Sequence, residues 1–387
     1  MSTTTPQSEV HSPEVIHDRL PSLTGVRFFA ALAVVVVHLV STQAIFANTA
    51  LQKAFGATIP FATSAVSIFF VLSGFVLTWS ARSSDAPARF LRRRFVKIFP
   101  NHLVTWALAV LFILLFGTAH LIGTSGAIRW DATLANLFLV HVWVPDPSYI
   151  SSANAPAWSL ACEAFFYLLF PLLFVAVRRI SRERLRRWAV VTTLVSLSVP
   201  CFALLLTGSH LAPELPIPTL QLWFGYLFPL TRLPEFLLGM LLARIVREGV
   251  WRPTRMRWAV LALFGSIVVS LTLPPIFFFG PFYAAAAGLL VATLATRDIT
   301  GAPSRLRGRA MIFLGDRSYA LYMSHFVVIA FARHLFFPAG GLSTVQALLA
   351  LFLVVLPIAL VASFLLYAGV ERPLYRRFAN PQDKVAV

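Results

Sequence analysis

Uncharged apolar stretches of about 20 residues recur along this chain of 387 residues, and they constrain its fold more than any other feature. A helix of that length crosses the hydrocarbon core of a bilayer. Of all residues, 58% are hydrophobic and only 12% are charged, with a mean hydropathy of +0.79. Helices satisfy their own backbone hydrogen bonds in lipid, whereas a porin-like barrel would need short alternating segments. We therefore predict an all-α fold, a polytopic transmembrane helix bundle with about ten spanning helices and one short re-entrant or interfacial segment.

The predicted spans follow the apolar stretches along the chain. They cover residues 25–46, 59–80, 99–119, 157–177, 189–207, 220–243, 258–274, 276–296, 311–336 and 344–370. The segment Leu134–Pro145 is also apolar, but about a dozen residues are too few to cross a bilayer comfortably. We therefore assign it as the re-entrant or interfacial segment.

Positive charge lies mostly in the connections between these spans. The formal net charge is +17, and the basic residues cluster in 1–27, 81–98, 178–188, 244–257, 297–310 and 371–384. In a soluble protein this charge would suggest binding to nucleic acid. In membrane proteins, however, basic connecting loops are typical of the cytoplasmic side. We therefore predict a multi-pass protein of the cell membrane, with the lipid bilayer and no nucleic acid as partner and with both termini in the cytoplasm. The predicted regions are a disordered cytoplasmic tail (1–19), a membrane domain (20–378) and a short cytoplasmic tail (379–387).

Two ionisable residues, Arg27 and His38, interrupt the first apolar run. Their separation of eleven residues is close to three helical turns. Both side chains therefore lie on one face, about 16 Å apart along the axis. Ionisable groups in a membrane helix are costly and usually mark a functional path through the bundle interior. A cation with a proton acceptor three turns deeper suits an anionic substrate that reacts at its far end. The alternative is an arginine that snorkels to the interface and a histidine that bonds a neighbouring helix.

Ser159, Glu163 and Tyr167 recur every four residues in the span 157–177, so they share one face. A glutamate one turn into a span needs a partner. The partners considered are His38, His141 and Arg232. The spacing fits an interhelical hydrogen bond and a catalytic role equally well.

Two later spans also carry polar residues at helical spacing. Arg232 and Glu235 lie three residues apart, which favours an ion pair in the bundle interior. Ser318, Tyr322 and His325 share a face of the span 311–336. We interpret His325 as a structural or supporting partner rather than as a second base.

A basic cluster, Arg92-Arg93-Arg94, precedes the third span. It is compatible with a topology signal, with binding of anionic lipid headgroups, or with binding of the phosphates of a nucleotide-bearing donor. Arginine suits the last role because it matches phosphate oxygens with two parallel hydrogen bonds. The spacing leaves all three interpretations open.

Other chemistries find no support in the sequence. It contains no glycine-rich phosphate loop, no paired histidine or cysteine spacing for a metal, and no Gly-x-Ser-x-Gly nucleophile motif. Cys162 and Cys201 both lie in apolar segments and indicate neither a disulfide framework nor a metal site. We predict no metal.

Taken in order, these pieces resemble the acyltransferase-3 family of integral-membrane O-acyltransferases over roughly residues 20–378. The matching segments are LPSLTGVRFFAA (20–31) leading to His38, SIFFVLSGF (67–75), Arg92–Arg94, Trp158-Ser159-Leu160 with Glu163 and Tyr167, RLPEF (232–236), LGDRSY (314–319) with Tyr322 and His325, and Glu371-Arg372-Pro373.

The resemblance implies transfer of an acyl group to a hydroxyl from acyl-CoA, which acts as a co-substrate, with no bound cofactor. On this basis we predict that His38 and Glu163 are catalytic, with His38 as general base or as the carrier of an acyl group. Residues Arg27, Arg92, Arg93 and Arg94 are predicted to bind the phosphates of the donor. Residues predicted to support the site are Ser73, Trp158, Tyr167, Arg232, Glu235, Ser318, Tyr322 and His325.

Members of this family acylate envelope polysaccharides, peptidoglycan, glycolipids or antibiotics. Many carry an additional extracytoplasmic domain after the bundle, which we expect this chain to lack. A compact, arginine-rich chain resembles the actinomycete enzymes that acylate macrolides. We therefore expect a small macrolide-type acceptor, with a cell-envelope glycan or glycolipid as the alternative.

A proton-coupled membrane transporter is the alternative of another class, because buried glutamate and histidine residues also form proton relays. Against it, the sequence shows no obvious internal repeat and no matched pair of broken helices. A catalytically silent scaffold is the third alternative. It predicts that neither Arg27→Ala nor His38→Ala changes any activity.

Overall fold

The computed structural model describes residues 20–41, 45–81, 85–117, 128–210, 217–337 and 341–379. Within these ranges the chain is predominantly helical and forms no β-strand. Phe46 with Leu342 and His210 with Pro218 form isolated bridges. This confirms the predicted all-α fold. The predicted tail 1–19 and residues 380–387 lie outside the described residues.

Ten long helices of the described chain follow the ten predicted spans. They are α1 (Pro21–Ser41), α2 (Ile59–Ser80), α3 (Pro87–Phe116), α4 (Ala157–Arg178), α5 (Leu185–Ala203), α6 (Pro229–Arg247), α7 (Met256–Ser270), α8 (Ala284–Ile299), α9 (Arg309–Phe336) and α10 (Thr344–Phe378). Eight of them are long and apolar enough to cross a membrane, some with the short helical turns that precede them. The other two are α7, which has only 15 residues, and α5, which begins with a pair of arginines. The protein is therefore a multi-pass membrane bundle.

Shorter helical elements lie in the connections. The α-helical ones are Thr49–Ala54, Trp130–Leu137, Pro147–Ile150 and Thr219–Leu222. The 3₁₀ turns are Phe55–Thr58, His141–Trp143, Arg182–Arg184, Pro275–Phe278, Gly280–Tyr283 and Arg305–Arg307. Stretches of π-helix occur at Trp223–Leu227 and, within α10, at Ala350–Val355 and Tyr367–Glu371. The segment Leu134–Pro145 covers the end of one short helix and one 3₁₀ turn, so it is too short to cross the membrane, as predicted.

Helix α2 lies at the centre of the bundle and is buried along most of its length. It packs against α1, α6 and α8. Two glycines bring the backbones of α2 and α6 together. A Cβ atom on Gly74 would lie 1.9 Å from the Phe236 carbonyl oxygen, and one on Gly239 would lie 1.9 Å from the Val71 carbonyl oxygen. Such close approach through small residues is typical of helix pairs in membranes.

Replacing Gly239 by alanine is expected to lower the free energy of unfolding by about 1–3 kcal/mol, because the added methyl group forces the two backbones apart. Gly265 in α7 is the matched control, since a Cβ atom there meets nothing within 4 Å. Gly265→Ala should leave stability unchanged or raise it by up to about 1 kcal/mol through helix propensity. Thermal and denaturant unfolding of the purified protein in detergent would measure both. Equal effects of the two substitutions would contradict the close contact between α2 and α6.

Polar contacts fix both ends of the described chain to the bundle. The Asp298 carboxylate of α8 accepts hydrogen bonds from the backbone N–H and the hydroxyl of Ser22, both at 2.7 Å. A carboxylate at this position satisfies an N–H in the first turn of α1 and complements the helix dipole. In α10, Glu371 is buried, forms an ion pair with Lys97 of α3 and accepts a hydrogen bond from Asn101 at 2.6 Å. These contacts hold the first and last helices in place around the interior.

Candidate active site

A narrow cavity of about 40 Å³ lies between α1, α2, α4 and α9. Its polar lining consists of Arg27, Ser159, Glu163, Ser318 and Tyr322. Its apolar lining consists of Val66, Phe69, Phe70, Leu160 and Met323, with the ring of Tyr319 beside them. Residues from the predicted polar faces of α4 and α9 therefore line the same cavity. The cavity offers one cation, one carboxyl group and several hydroxyls to a small polar group.

Glu163 is held by its own helix and approached by two cations from others. The Tyr167 hydroxyl donates to Glu163 Oε2 at 3.1 Å, and Ser73 Oγ of α2 lies 3.4 Å from the same hydroxyl. The guanidinium groups of Arg27 and Arg94 act electrostatically on the carboxyl group. Two of the partners considered for Glu163 form other pairs: Arg232 pairs with Glu235, and His38 meets His325. His141 is fully buried beside His102.

His38 of α1 and His325 of α9 meet each other in the bundle interior. His38 Nδ1 lies 2.8 Å from His325 Nε2, and the two rings are nearly parallel, with 6° between their planes. His325 Nδ1 lies 2.6 Å from the Tyr322 carbonyl oxygen, one turn earlier in α9. The Tyr322 side chain reaches back to the cavity, where its hydroxyl lies 2.6 Å from Ser159 Oγ. The histidine pair therefore lies one helical turn beyond the cavity wall.

Exposure distinguishes the two histidines. His325 is fully buried, whereas His38 is only partly buried and keeps some accessible surface. A reacting group can therefore reach His38 more readily than His325. This geometry supports the interpretation of His325 as a partner of His38.

The arginine cluster divides between two surfaces. Arg93 and Arg94 line a pocket of about 550 Å³ at the ends of α2, α3 and α4, together with Arg178. Arg93 also forms an ion pair with Asp85 at 2.8 Å. Arg92 lies instead in an apolar groove with Phe95, Val96, Pro100, Leu374 and Phe378. Consecutive residues of a helix point about 100° apart, so three adjacent arginines cannot all face one pocket.

The basic pocket and the inner cavity follow each other along the same two helices. Phe70 of α2 and Glu163 of α4 line the cavity, whereas Leu77 and Phe170 of the same helices line the pocket. Ser73 and Tyr167 lie between these levels. The hydrogen-bonded side chains of Ser73, Tyr167 and Glu163 therefore separate a basic mouth from an interior chamber.

Arg232 and Glu235 form an ion pair in the core rather than in the cavity. Arg232 Nε lies 2.9 Å from Glu235 Oε2, and both side chains are completely buried. The guanidinium carbon lies 5.0 Å from the ring centre of Phe70, 5.9 Å from that of Trp158 and 5.2 Å from that of Tyr226. This confirms the predicted interior ion pair. It also places Trp158 in the aromatic cage of the arginine, one residue from the cavity.

Several residues of the site were not singled out from the sequence. Ser159 was recognised only as part of a shared face. Its spacing of four residues from Glu163 could have predicted that both residues line the same cavity. Tyr319 also lines the cavity, and its hydroxyl donates to the Ile98 carbonyl oxygen at 2.6 Å. Arg178 joins the basic pocket from the end of α4. Helical spacing cannot reveal Arg178, because its contribution depends on how α3 and α4 pack.

The chain is similar to known acyltransferases. Acyltransferase MdmB of Streptomyces mycarofaciens is 39% identical over 369 residues, which cover 94% of this chain and 93% of that protein. O-acetyltransferase OatA of Staphylococcus aureus (strain NCTC 8325 / PS 47) is 26% identical over 349 residues, and the match covers 81% of this chain and 51% of OatA. No solved structure matches the chain. A family model described as an acyltransferase domain matches residues 20–368. A match across nearly all of the helical bundle, including its cavity and histidine pair, shows that the chain belongs to the acyltransferase-3 family.

Proposed function

We propose that this membrane acyltransferase transfers an acyl group from acyl-CoA to a hydroxyl of a macrolide or related secondary metabolite. The observation that carries the proposal is the alignment of a basic pocket, a polar cavity and a histidine pair along one path. Acyl-CoA has this order of parts, with phosphates at one end and a thioester at the other.

The donor's phosphates bind the basic pocket in this proposal. Arg93, Arg94 and Arg178 line that pocket, and arginine binds phosphate oxygens through paired, charge-assisted hydrogen bonds. The buried Nε atoms of Arg94 and Arg27 have no hydrogen-bond partner among the described residues. Buried donors without partners are costly, so oxygen atoms of a ligand are expected to reach them.

The rest of the donor extends inward along α2 and α4. It passes the side chains of Ser73 and Tyr167 and places the thioester in the cavity beside Tyr322. Arg27 supplies donors to the thioester oxygen, on which negative charge develops during attack. One hydroxyl of the hydrogen-bonded pair Ser159 and Tyr322 supplies a further donor, because the other uses its proton within the pair. Glu163 orients Tyr167 through their hydrogen bond and balances the charge of Arg27.

His38 acts as the general base at the far end of this path. Its imidazole removes the proton of the acceptor hydroxyl while the hydroxyl oxygen attacks the thioester carbonyl carbon. The new carbon–oxygen bond forms, the carbon–sulfur bond breaks, and the proton passes from His38 to the departing CoA sulfur. The partial exposure of His38 supports this role, because the acceptor must reach the base.

The proposed acceptor rests on the pattern of relatives. The Streptomyces acyltransferase matches this chain over nearly its whole length, whereas OatA is about twice the length of its matching region. A small acceptor is the one we propose, because the match to the Streptomyces acyltransferase covers 93% of that protein, whereas the match to OatA covers 51% of OatA. The basic pocket opens at the end of the bundle where Arg178 and Arg247 lie, which supports cytoplasmic termini and a cytosolic donor.

Membranes that contain the protein, supplied with acyl-labelled CoA and separate acceptor fractions, provide the test. The fractions are macrolides and other small metabolites, lipids, and cell-envelope glycans. Label in the small-metabolite fraction supports the proposal, and label only in glycans supports the envelope alternative. Movement of a solute that depends on a proton gradient, without any consumption of thioester, would replace the proposal with a transporter.

Replacing Arg94 by glutamine is expected to raise the KM for acyl-CoA by about ten- to a hundredfold, because one charge-assisted contact to phosphate is lost. The kcat should change less than the KM, since Arg94 lines the basic pocket rather than the cavity that receives the thioester. Arg182, an exposed arginine that follows α4, is the matched control for net charge. An equal change in KM for Arg94→Gln and Arg182→Gln would contradict a specific phosphate site and indicate general electrostatic attraction.

A further inference from the structure

The hydrogen bonds around His325 determine which of its nitrogen atoms carries a proton. His325 Nδ1 lies 2.6 Å from the Tyr322 carbonyl oxygen, and a carbonyl oxygen can only accept. Nδ1 of His325 must therefore be protonated. His325 is fully buried and forms no ion pair with a carboxylate within the described residues, so its imidazole is neutral. Its Nε2 atom consequently bears a lone pair.

The protonation state of His38 follows from that of His325. His325 Nε2 lies 2.8 Å from His38 Nδ1, and a lone pair at this distance requires a hydrogen on the other atom. His38 is therefore protonated at Nδ1, and its lone pair lies on Nε2. The backbone carbonyl of Tyr322 thus determines the tautomer of His38 through one intervening imidazole.

We infer that His325 is a positioning residue that holds His38 in the Nδ1–H tautomer, so that Nε2 of His38 is the atom that removes the acceptor's proton. The inference rests on the proposed function, in which His38 is the base. During transfer, Nε2 gains the proton of the acceptor hydroxyl and His38 becomes an imidazolium. Its Nδ1–H bond to the His325 lone pair stabilises this cation. The proton on Nε2 then passes to the CoA sulfur, and His325 neither gains nor loses a proton.

The two contacts of His325 match the two ring nitrogens of an imidazole. An imidazole presents a donor and an acceptor in one rigid plane, and here it uses the donor toward its own helix and the acceptor toward α1. Asparagine and glutamine each reproduce one half of this arrangement. The asparagine amide reaches the position of Nδ1, whereas the glutamine amide oxygen reaches the position of Nε2.

A pair of substitutions separates the positioning role from a structural one. His325→Asn keeps a donor for the Tyr322 carbonyl but cannot accept from His38, so kcat should fall by about 10- to 100-fold, as for groups that orient a functional histidine. The KM for acyl-CoA should stay within about twofold, because the basic pocket is untouched. His325→Gln restores the acceptor and should recover most of kcat. Equal loss in both variants, or a loss expressed in KM, would overturn the inference.

The tautomer itself can be read without any assay of activity. Nitrogen NMR of the full-length protein labelled with ¹⁵N-histidine, in lipid nanodiscs, distinguishes protonated from unprotonated ring nitrogens. His38→Gln assigns the His38 signals among those of the nine histidines. We expect Nδ1 of His38 to be protonated and Nε2 unprotonated in the wild type and in His325→Gln, with a mixture of tautomers in His325→Asn. A proton on Nε2 of His38 in the wild type would refute the inference.

The turnover of His38→Ala tests the proposed base, and the NMR spectrum tests the role of His325, so each can be refuted separately. Full turnover by His38→Ala would refute the proposed base, even if the spectrum shows the expected tautomer. Loss of turnover in His38→Ala, together with the opposite tautomer in the spectrum, would refute the role of His325 alone. Unfolding temperatures and gel-filtration profiles of the variants show whether each has kept its fold.

Discussion

Replacing His38 by alanine is expected to lower kcat for acyl transfer by about 10²- to 10⁴-fold, the usual contribution of a general base. The hydroxyl of an alcohol is a weak nucleophile until its proton is removed as it attacks. His38 is the partly exposed member of the histidine pair, and its loss removes the proposed proton acceptor while leaving the arginines of the basic pocket in place. The KM for acyl-CoA should therefore change little.

Initial rates with labelled acyl-CoA, measured on purified protein in nanodiscs, give kcat and KM separately. His210→Ala is the matched control, because His210 is exposed and lies in the connection after α5. It should retain the kcat of the wild type. Near-normal turnover by His38→Ala would show that this residue is not the general base. A large increase in KM instead would mean that His38 binds the donor.

Replacing Glu235 by alanine is expected to lower the free energy of unfolding by about 3–5 kcal/mol, which is large for a single substitution. The reason is the charge left behind. Arg232 is completely buried, and without Glu235 the partners given above that remain to it among the described residues are the aromatic rings and Ser67 Oγ at 3.5 Å. A buried guanidinium without a carboxylate is far less stable than the pair.

The double variant Arg232→Met and Glu235→Leu tests this explanation. It removes both charges together and replaces them with apolar side chains, so most of the stability should return. Unfolding of each variant in detergent, followed by circular dichroism, measures the difference. If the double variant is as unstable as Glu235→Ala, packing at these positions rather than the unpaired charge causes the loss.

Contacts within one helix were predictable from the sequence because helical geometry is local. The four-residue spacing of Ser159, Glu163 and Tyr167 predicts one shared face, and the structure places the first two in the cavity and joins the last two by a hydrogen bond. The three-residue spacing of Arg232 and Glu235 likewise predicts their ion pair. Each inference needs only the helical repeat and the cost of a charge in lipid.

Contacts between helices were not predictable in the same way. The sequence identifies His38 and His325 as unusual residues, but their meeting depends on how α1 packs against α9. For Glu163 the sequence suggests a distant partner, whereas Tyr167 lies one turn away on the same helix and Arg27 and Arg94 approach from two others. The arginine cluster also divides, because helix rotation turns Arg92 away from Arg93 and Arg94. The order of the basic pocket, the cavity and the histidine pair therefore depends on how the helices pack.

The ion pair between Lys97 and Glu371 also bears on how the protein is made. These two residues are separated by 274 positions, so the ribosome produces Lys97 long before its partner exists. During that interval the amine of Lys97 must remain hydrated or bind lipid phosphate, because a charge in lipid without a partner is costly. Insertion of the last helix ends the interval by supplying the carboxylate. Completion of the bundle is thereby linked to insertion of the last helix, and a chain that ends before Glu371 would leave the charge of Lys97 without this carboxylate.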